Sequence, residues 1–224
     1  KRNMVIPAIE VNLDYDSYDY KLPIIDKCPS CGERLVIKNT GTANVLYCQN
    51  EDCSSRKLAQ FVHFVSKKCM SIDGLSESII SFLINKGWIK SFQDIYHLQD
   101  YKTKWQMCDG FGKKSVEKIL NAIERSRVVK LENFLCALSI PSIGLSASKT
   151  LSQRFNGDLY AVLDAYDQGF NWTALPDFGD VMAKNLNDYF EENVAKIYTL
   201  AEEMHFVVPE QKSVSNNPFN GKSL

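Results

Sequence analysis

Cys108-Asp109-Gly110-Phe111-Gly112-Lys113-Lys114-Ser115-Val116 sets an apolar residue between two glycines and runs at once into Glu117-Lys118-Ile119-Leu120-Asn121-Ala122-Ile123, an amphipathic helical pattern. Glycine takes positive φ without steric cost and lets another backbone come close. The first turn of a helix carries free N–H groups and a positive dipole end. Such a turn is a compact pocket for an anion such as phosphate. A single copy is a weak signal, better read as a C-cap turn between two packed helices.

The stretch is not single. Ile140-Pro141-Ser142-Ile143-Gly144-Leu145-Ser146-Ala147 and Leu175-Pro176-Asp177-Phe178-Gly179-Asp180-Val181-Met182 repeat it, and Ile72-Asp73-Gly74-Leu75-Ser76-Glu77-Ser78-Ile79 is a weaker copy. Their second turn positions, Ser76, Gly112, Gly144 and Gly179, are 36, 32 and 35 residues apart. Seven residues after each stands an apolar residue: Leu83, Ile119, Leu151 and Leu186. A repeat of this period is one supersecondary unit used several times. It predicts four helical hairpins in a mainly α fold.

The second specific signal lies upstream. Cys28-Pro29-Ser30-Cys31-Gly32 is a Cys-x2-Cys knuckle, and Cys48-Gln49-Asn50-Glu51-Asp52-Cys53 supplies a second pair. Four thiolates in two close pairs suit a tetrahedral Zn²⁺, which four protein ligands make structural rather than catalytic. Leu35-Val36-Ile37 and Val45-Leu46-Tyr47 read as short strands around Asn39-Thr40-Gly41-Thr42, giving a small zinc-ribbon-like module. Cys69, Cys108 and Cys136 lack partner spacing and read as buried thiols. His63 reads as a surface or packing residue on its helix.

Composition bounds the rest. In 224 residues, 45% hydrophobic and 24% charged content is that of a soluble globular protein. No run of 18 apolar residues offers a membrane span, and no signal-peptide pattern follows Lys1. Seven cysteines without a secretion signal favour thiols or metal over disulfides. A formal net charge of −1 is less basic than a dedicated nucleic-acid binder usually is, so local charge has to carry any phosphate contact.

In chain order, residues 1–26 read as a β-rich tail through Val5–Leu13, 27–54 as the four-cysteine module, 55–208 as one compact tandem hairpin domain, and 209–224 as a polar linker. Within the helical part, Leu58, Phe61, Val62 and Val65 mark a first helix. Ser78 to Lys86 ends at Gly87, Ser91 caps a short helix, and Ala183 to Phe190 is followed by a separate last helix with Val194, Ile197 and Leu200.

These turns resemble helix-hairpin-helix DNA-binding motifs. A four-cysteine site directly ahead of four of them is similar to the C-terminal half of the bacterial NAD⁺-dependent DNA ligases, and the resemblance covers nearly the whole chain. Asn3-Met4-Val5-Ile6-Pro7-Ala8-Ile9 is similar to the Gly-Asp-x-Ile-Pro stretch near the end of that family's OB fold, with Asn3-Met4 in place of Gly-Asp. Phe219-Asn220-Gly221-Lys222 looks like the opening of its BRCT domain.

The resemblance implies a cytoplasmic bacterial enzyme that seals nicked duplex DNA in replication and repair. NAD⁺ would serve as adenylate donor and Mg²⁺ in catalysis, both through upstream nucleotidyltransferase and OB domains, with a BRCT domain downstream. The helical domain would grip the duplex minor groove and phosphate backbone. The family's nucleophilic Lys in Lys-x-Asp-Gly is missing: Asp73-Gly74 matches, but Ser71 holds the Lys position. The chain itself is therefore expected to have no catalytic residue.

Phosphate contacts need free backbone N–H groups and nearby cations. Gly110, Gly112, Lys113, Lys114 and Lys118 of the second hairpin and Ser142, Gly144 and Lys149 of the third rank first, with Arg154 nearby. Gly179 is the corresponding turn residue of the fourth, which carries Asp177 and Asp180; the first carries Asp73 and Glu77. The lysine pair also reads as a solvated helix face. Two other functions fit: a structure-specific DNA-binding module of a repair nuclease or recombination protein, and a zinc-held protein-interaction module.

Overall fold

The computed structural model describes residues 25–39 and 44–207. The β-rich tail, the turn at Thr40–Thr42, and the linker with Phe219–Lys222 lie outside the described residues. The chain divides into two compact units, Lys1–Ser54 and Ser55–Leu224.

In the smaller unit, β1 (Leu35–Asn39) pairs antiparallel with β2 (Asn44–Cys48), with Leu35 opposite Cys48 and Val36 opposite Tyr47. The first knuckle closes ahead of β1. Gly32 N–H donates to the Cys28 carbonyl at 2.8 Å, and Cys28 N–H to the Glu33 carbonyl at 2.7 Å. Gly32 stands at φ +74°, a turn conformation open to glycine at little cost. Lys38 Nζ lies 3.8 Å from the Tyr47 ring centre on the outer face.

The larger unit is helical: α1 (Ser54–Val65), α2 (Glu77–Asn85), α3 (Lys102–Gln106), α4 (Lys113–Ser126), α5 (Leu131–Ala137), α6 (Leu145–Arg154), α7 (Leu159–Asp167) and α8 (Asp180–Ala201). The four repeats share one backbone. The first turn positions Gly74, Gly110, Ser142 and Asp177 all have left-handed φ, at +94°, +84°, +65° and +61°. The second positions, Ser76, Gly112, Gly144 and Gly179, are extended and serve as N-caps of α2, α4, α6 and α8. Each turn points its central apolar residue inward. Leu75, Ile143 and Phe178 are buried, and Phe111 packs on Phe82 and Trp105. Leu83, Ile119, Leu151 and Leu186 are at most 2% exposed, so each following helix is pinned where the repeat predicts. Burying one such side chain stabilises by about 1.5–3 kcal/mol, which short helices need because they do not persist alone.

All four hairpins share one hydrophobic core. The third and fourth are also tied by polar contacts: Asn185 Nδ2 donates to Ser142 Oγ at 3.2 Å, and the Tyr189 hydroxyl to the Leu138 carbonyl at 3.0 Å.

Two local expectations need correction, and one feature was not foreseen. The segment after Ser91 is a 3-10 helix, Gln93–Tyr101. Its entry is held by the Asp94 carboxylate, which accepts from the Lys90 and Ser91 N–H groups. The two helices expected after the fourth hairpin are one, because Glu191-Glu192-Asn193 holds no Gly or Pro and simply continues the α-helical ladder. Two short strands, β3 (Val128–Val129) and β4 (His205–Phe206), pair in parallel and were not expected. Beside them Arg127 reaches Glu124, Glu203 and the Tyr96 carbonyl, joining the end of α4 to the end of α8.

Candidate nucleic-acid interface and metal centre

At the start of α4, the first intrahelical bond runs from Val116 N–H to the Gly112 carbonyl. The N–H groups of Lys113, Lys114 and Ser115 therefore have no partner within the helix. No side chain caps this end. The same holds for α6, where Ser148 N–H donates to Gly144 and no side-chain cap is present. In contrast, Ser76 Oγ accepts from Ile79 N–H at the start of α2 and occupies one of those donors itself.

Charge divides the four turns further. Lys113, Lys114 and Lys118 are exposed, and no ion pair holds them among the described residues. Lys149 is exposed one turn into α6. Lys184 of the fourth hairpin is paired with Asp188, leaving Asp177 and Asp180 as the charges at that turn. Asp73 and Glu77 make the first turn acidic. Arg154 is turned aside: its guanidinium lies 5.4 Å and 5.6 Å from the Phe155 and Phe170 ring centres.

Steric access matches. A Cβ added at Gly112, Gly144 or Gly179 meets nothing within 4 Å. Gly112 has φ −83°, so it is not the strained glycine of its turn; Gly110 is. Gly74 is a packing glycine, since a Cβ there meets Ile119 Cγ1 at 2.9 Å. Asp73-Gly74 is thus a turn of the first hairpin and not a nucleophile motif.

The four cysteines converge. Their sulfurs all lie within 4.8 Å of one another, with Cys28 Sγ 3.8 Å from Cys53 Sγ and Cys31 Sγ 3.5 Å from Cys48 Sγ. Cys28 and Cys53 are buried. The backbone N–H groups of Cys31 and then Ser30 lower the Cys28 thiol to about 6. Burial, and then the sulfurs of Cys31, Cys28 and Cys53, push Cys48 up to about 12. An all-sulfur set at these separations fits a tetrahedral Zn²⁺, whose charge would hold all four as thiolates.

A second group was not legible in the sequence. His63 of α1, Cys69 of the turn after it and Cys136 of α5 bring one ring nitrogen and two sulfurs within 4.8 Å of one another. Cys69 and Cys136 were expected to be isolated buried thiols; they are buried but adjacent. Cys108 is only half-buried and donates to the Lys104 carbonyl.

No family model matches the chain. Curated relatives do. It is 37% identical over 208 residues to a DNA ligase of Lachnoclostridium phytofermentans, covering 92% of this chain and 31% of that protein. A DNA ligase of Acholeplasma laidlawii is 31% identical over 230 residues, covering 100% of this chain and 34% of the relative. One of Campylobacter concisus is 35% identical over 198 residues, covering 88% and 29%. The chain spans about a third of the length of the curated relatives it matches.

Proposed function

We propose, for a chain homologous to the DNA ligases along nearly all of its length, that it is the DNA-gripping part of an NAD⁺-dependent enzyme that seals nicks in duplex DNA. The observation that carries this reading is the contrast among four equal turns. The second and third hairpins keep uncapped N–H groups beside exposed lysines, whereas the first is self-capped and the fourth is acidic.

Gly110 sets the turn and Gly112 leaves room for a phosphate at the start of α4. Lys113, Lys114 and Lys118 neutralise it. Ser142, Gly144 and Lys149 repeat the arrangement on α6, and Gly179 offers a weaker third approach. Two such clamps on one rigid core hold successive stretches of backbone without reading bases, which suits a sealing enzyme that must work at any sequence. Cys28, Cys31, Cys48 and Cys53 would hold Zn²⁺, which supplies a structural cross-link between the two knuckles.

We assign residues 27–54 to that module, 55–208 to the DNA-binding domain, and the flanks to the end of an OB fold and a linker to a BRCT domain. Adenylate transfer, with its Mg²⁺, belongs to parts of the enzyme upstream, in the bacterial cytoplasm. The relatives' name favours a ligase over a repair nuclease or recombination module. Incubation of the purified chain with NAD⁺ tests the division of labour. Intact mass should show no gain of one AMP; a stable adenylate would place a nucleophile in this chain and overturn it.

A further inference from the structure

His63, Cys69 and Cys136 come from two segments far apart in sequence and meet where α1 lies beside the end of α5. Cys69 Sγ is 3.4 Å from Cys136 Sγ and 3.4 Å from His63 Nε2. Two ligands on a tetrahedral zinc, with Zn–S about 2.3 Å and Zn–N about 2.0–2.1 Å, lie roughly 3.5–3.8 Å apart. These two separations need shifts of only a few tenths of an ångström, and the third, between Cys136 Sγ and the His63 ring nitrogen, is within 4.8 Å. Its sulfur–sulfur separation is close to the 3.5 Å and 3.8 Å of the four-cysteine cluster.

The donor set is selective. Two thiolates and an imidazole suit a soft or borderline cation and contain no carboxylate for Mg²⁺ or Ca²⁺. The sulfurs are buried, while His63 is exposed and lines a surface groove with Ser142, Ile143 and Gly144 of the third hairpin. That groove is an entry path. His63 Nε2 lies 2.9 Å from the Cys136 carbonyl and donates to it.

We propose that His63, Cys69 and Cys136 form a second metal site, for a thiophilic divalent cation of the zinc class, with the fourth coordination position open. Binding releases the thiol protons of Cys69 and Cys136 to solvent and moves the ring proton of His63 from Nε2 to Nδ1, freeing Nε2 for the cation. The metal ties α1 to α5 directly behind the third hairpin, so its presence stiffens one of the two DNA clamps. The metal site itself does not depend on the proposed DNA-binding role; the stiffening of a clamp rests on that reading.

The test is metal counting on the full chain, equilibrated with excess Zn²⁺ and then desalted. The parent should retain two zinc ions per chain, and Cys69→Ala and Cys136→Ala one each. Both replacements are small and apolar, and thermal melting checks their fold. His63→Ala changes an exposed residue and keeps the core. Titrated with Co²⁺ after the first site is filled with zinc, it should bind at least about tenfold more weakly than the parent, with a weakened thiolate-to-cobalt absorption band. A parent that holds no more zinc than the folded trio variants overturns the proposal, whatever the four-cysteine cluster holds.

Discussion

Gly110 and Ser142 occupy the same position in two helical hairpins and share one left-handed backbone, at φ +84° and +65°. Only one of them is glycine. The turn therefore imposes its geometry on whichever residue stands there, and residues with a Cβ pay conformational strain of about 1–2 kcal/mol.

This makes the turn testable without DNA. Gly110→Ala should lower unfolding stability by about 1 kcal/mol, because alanine resists that φ although no atom lies within 4 Å of its Cβ. Gly112→Ala, at φ −83° with open space, should show no left-handed strain and cost only the poorer N-cap, about 0.5 kcal/mol. Asp177→Gly, at φ +61°, should leave stability unchanged or raise it by up to about 1 kcal/mol. Urea unfolding of the three variants compares them directly.

The Arg127–Glu203 pair predicts an acid-sensitive seam. Burial pushes the Glu203 carboxyl up, but hydrogen bonds from Arg127 and Gln93 and the neighbouring positive charges outweigh it and hold the group below its ordinary value. Its stabilisation is present above the unfolded carboxylate pKa, about 4.3, and is lost as pH falls through the lower folded value. Glu203→Gln should cost about 2 kcal/mol at neutral pH and flatten the loss of stability below about pH 4. Urea midpoints from pH 7 to 3 supply the measurement.

Removing zinc should act locally. Apparent binding energies of thiolate zinc sites in small modules are about 10–16 kcal/mol, and in such modules this is folding energy. Strong chelation should expose the amides of residues 28–53 to hydrogen exchange. The amides of α2, α4 and α8 should keep their protection, since their core is built from Leu83, Ile119, Leu186 and their neighbours. Uniform loss of protection in both units would show that the metal supports more than its own module.

What the sequence could reveal followed from how local each signal was. The four zinc-type cysteines lie in two knuckles whose spacing alone announces them, and β1 and β2 lie between. The hairpins were legible because each writes the same small–apolar–small pattern and the same apolar residue seven positions on. Local reading failed where order comes from distance. His63 and Cys136 are 73 residues apart and meet only through the packing of α1 and α5. The single helix α8 was split at Glu191-Glu192 because its apolar stripe lapses there. In fact Asn193 Nδ2 donates back to the Tyr189 carbonyl and the helix runs on. Nor does the pattern tell which of the two glycines takes positive φ: it is Gly110, since Gly112 at the second turn position is an extended N-cap.

The most direct test of the DNA-clamp account is duplex affinity across a salt series for the parent and for Lys113→Ala/Lys114→Ala, with folding confirmed by melting. Each lost phosphate contact should reduce the log–log salt slope by about 0.9, so the double variant should bind any duplex more weakly, without sequence preference, and with a slope flatter by up to about 2. Gly112→Val, at equal charge and with folding confirmed by melting, should also bind more weakly, because it fills the space at the start of α4. Alanine at Asp177 and Asp180 should weaken nothing. If the folded Lys113/Lys114 and Gly112 variants bind with the parent's affinity and slope, the second hairpin is only a turn between helices, and the central claim is contradicted.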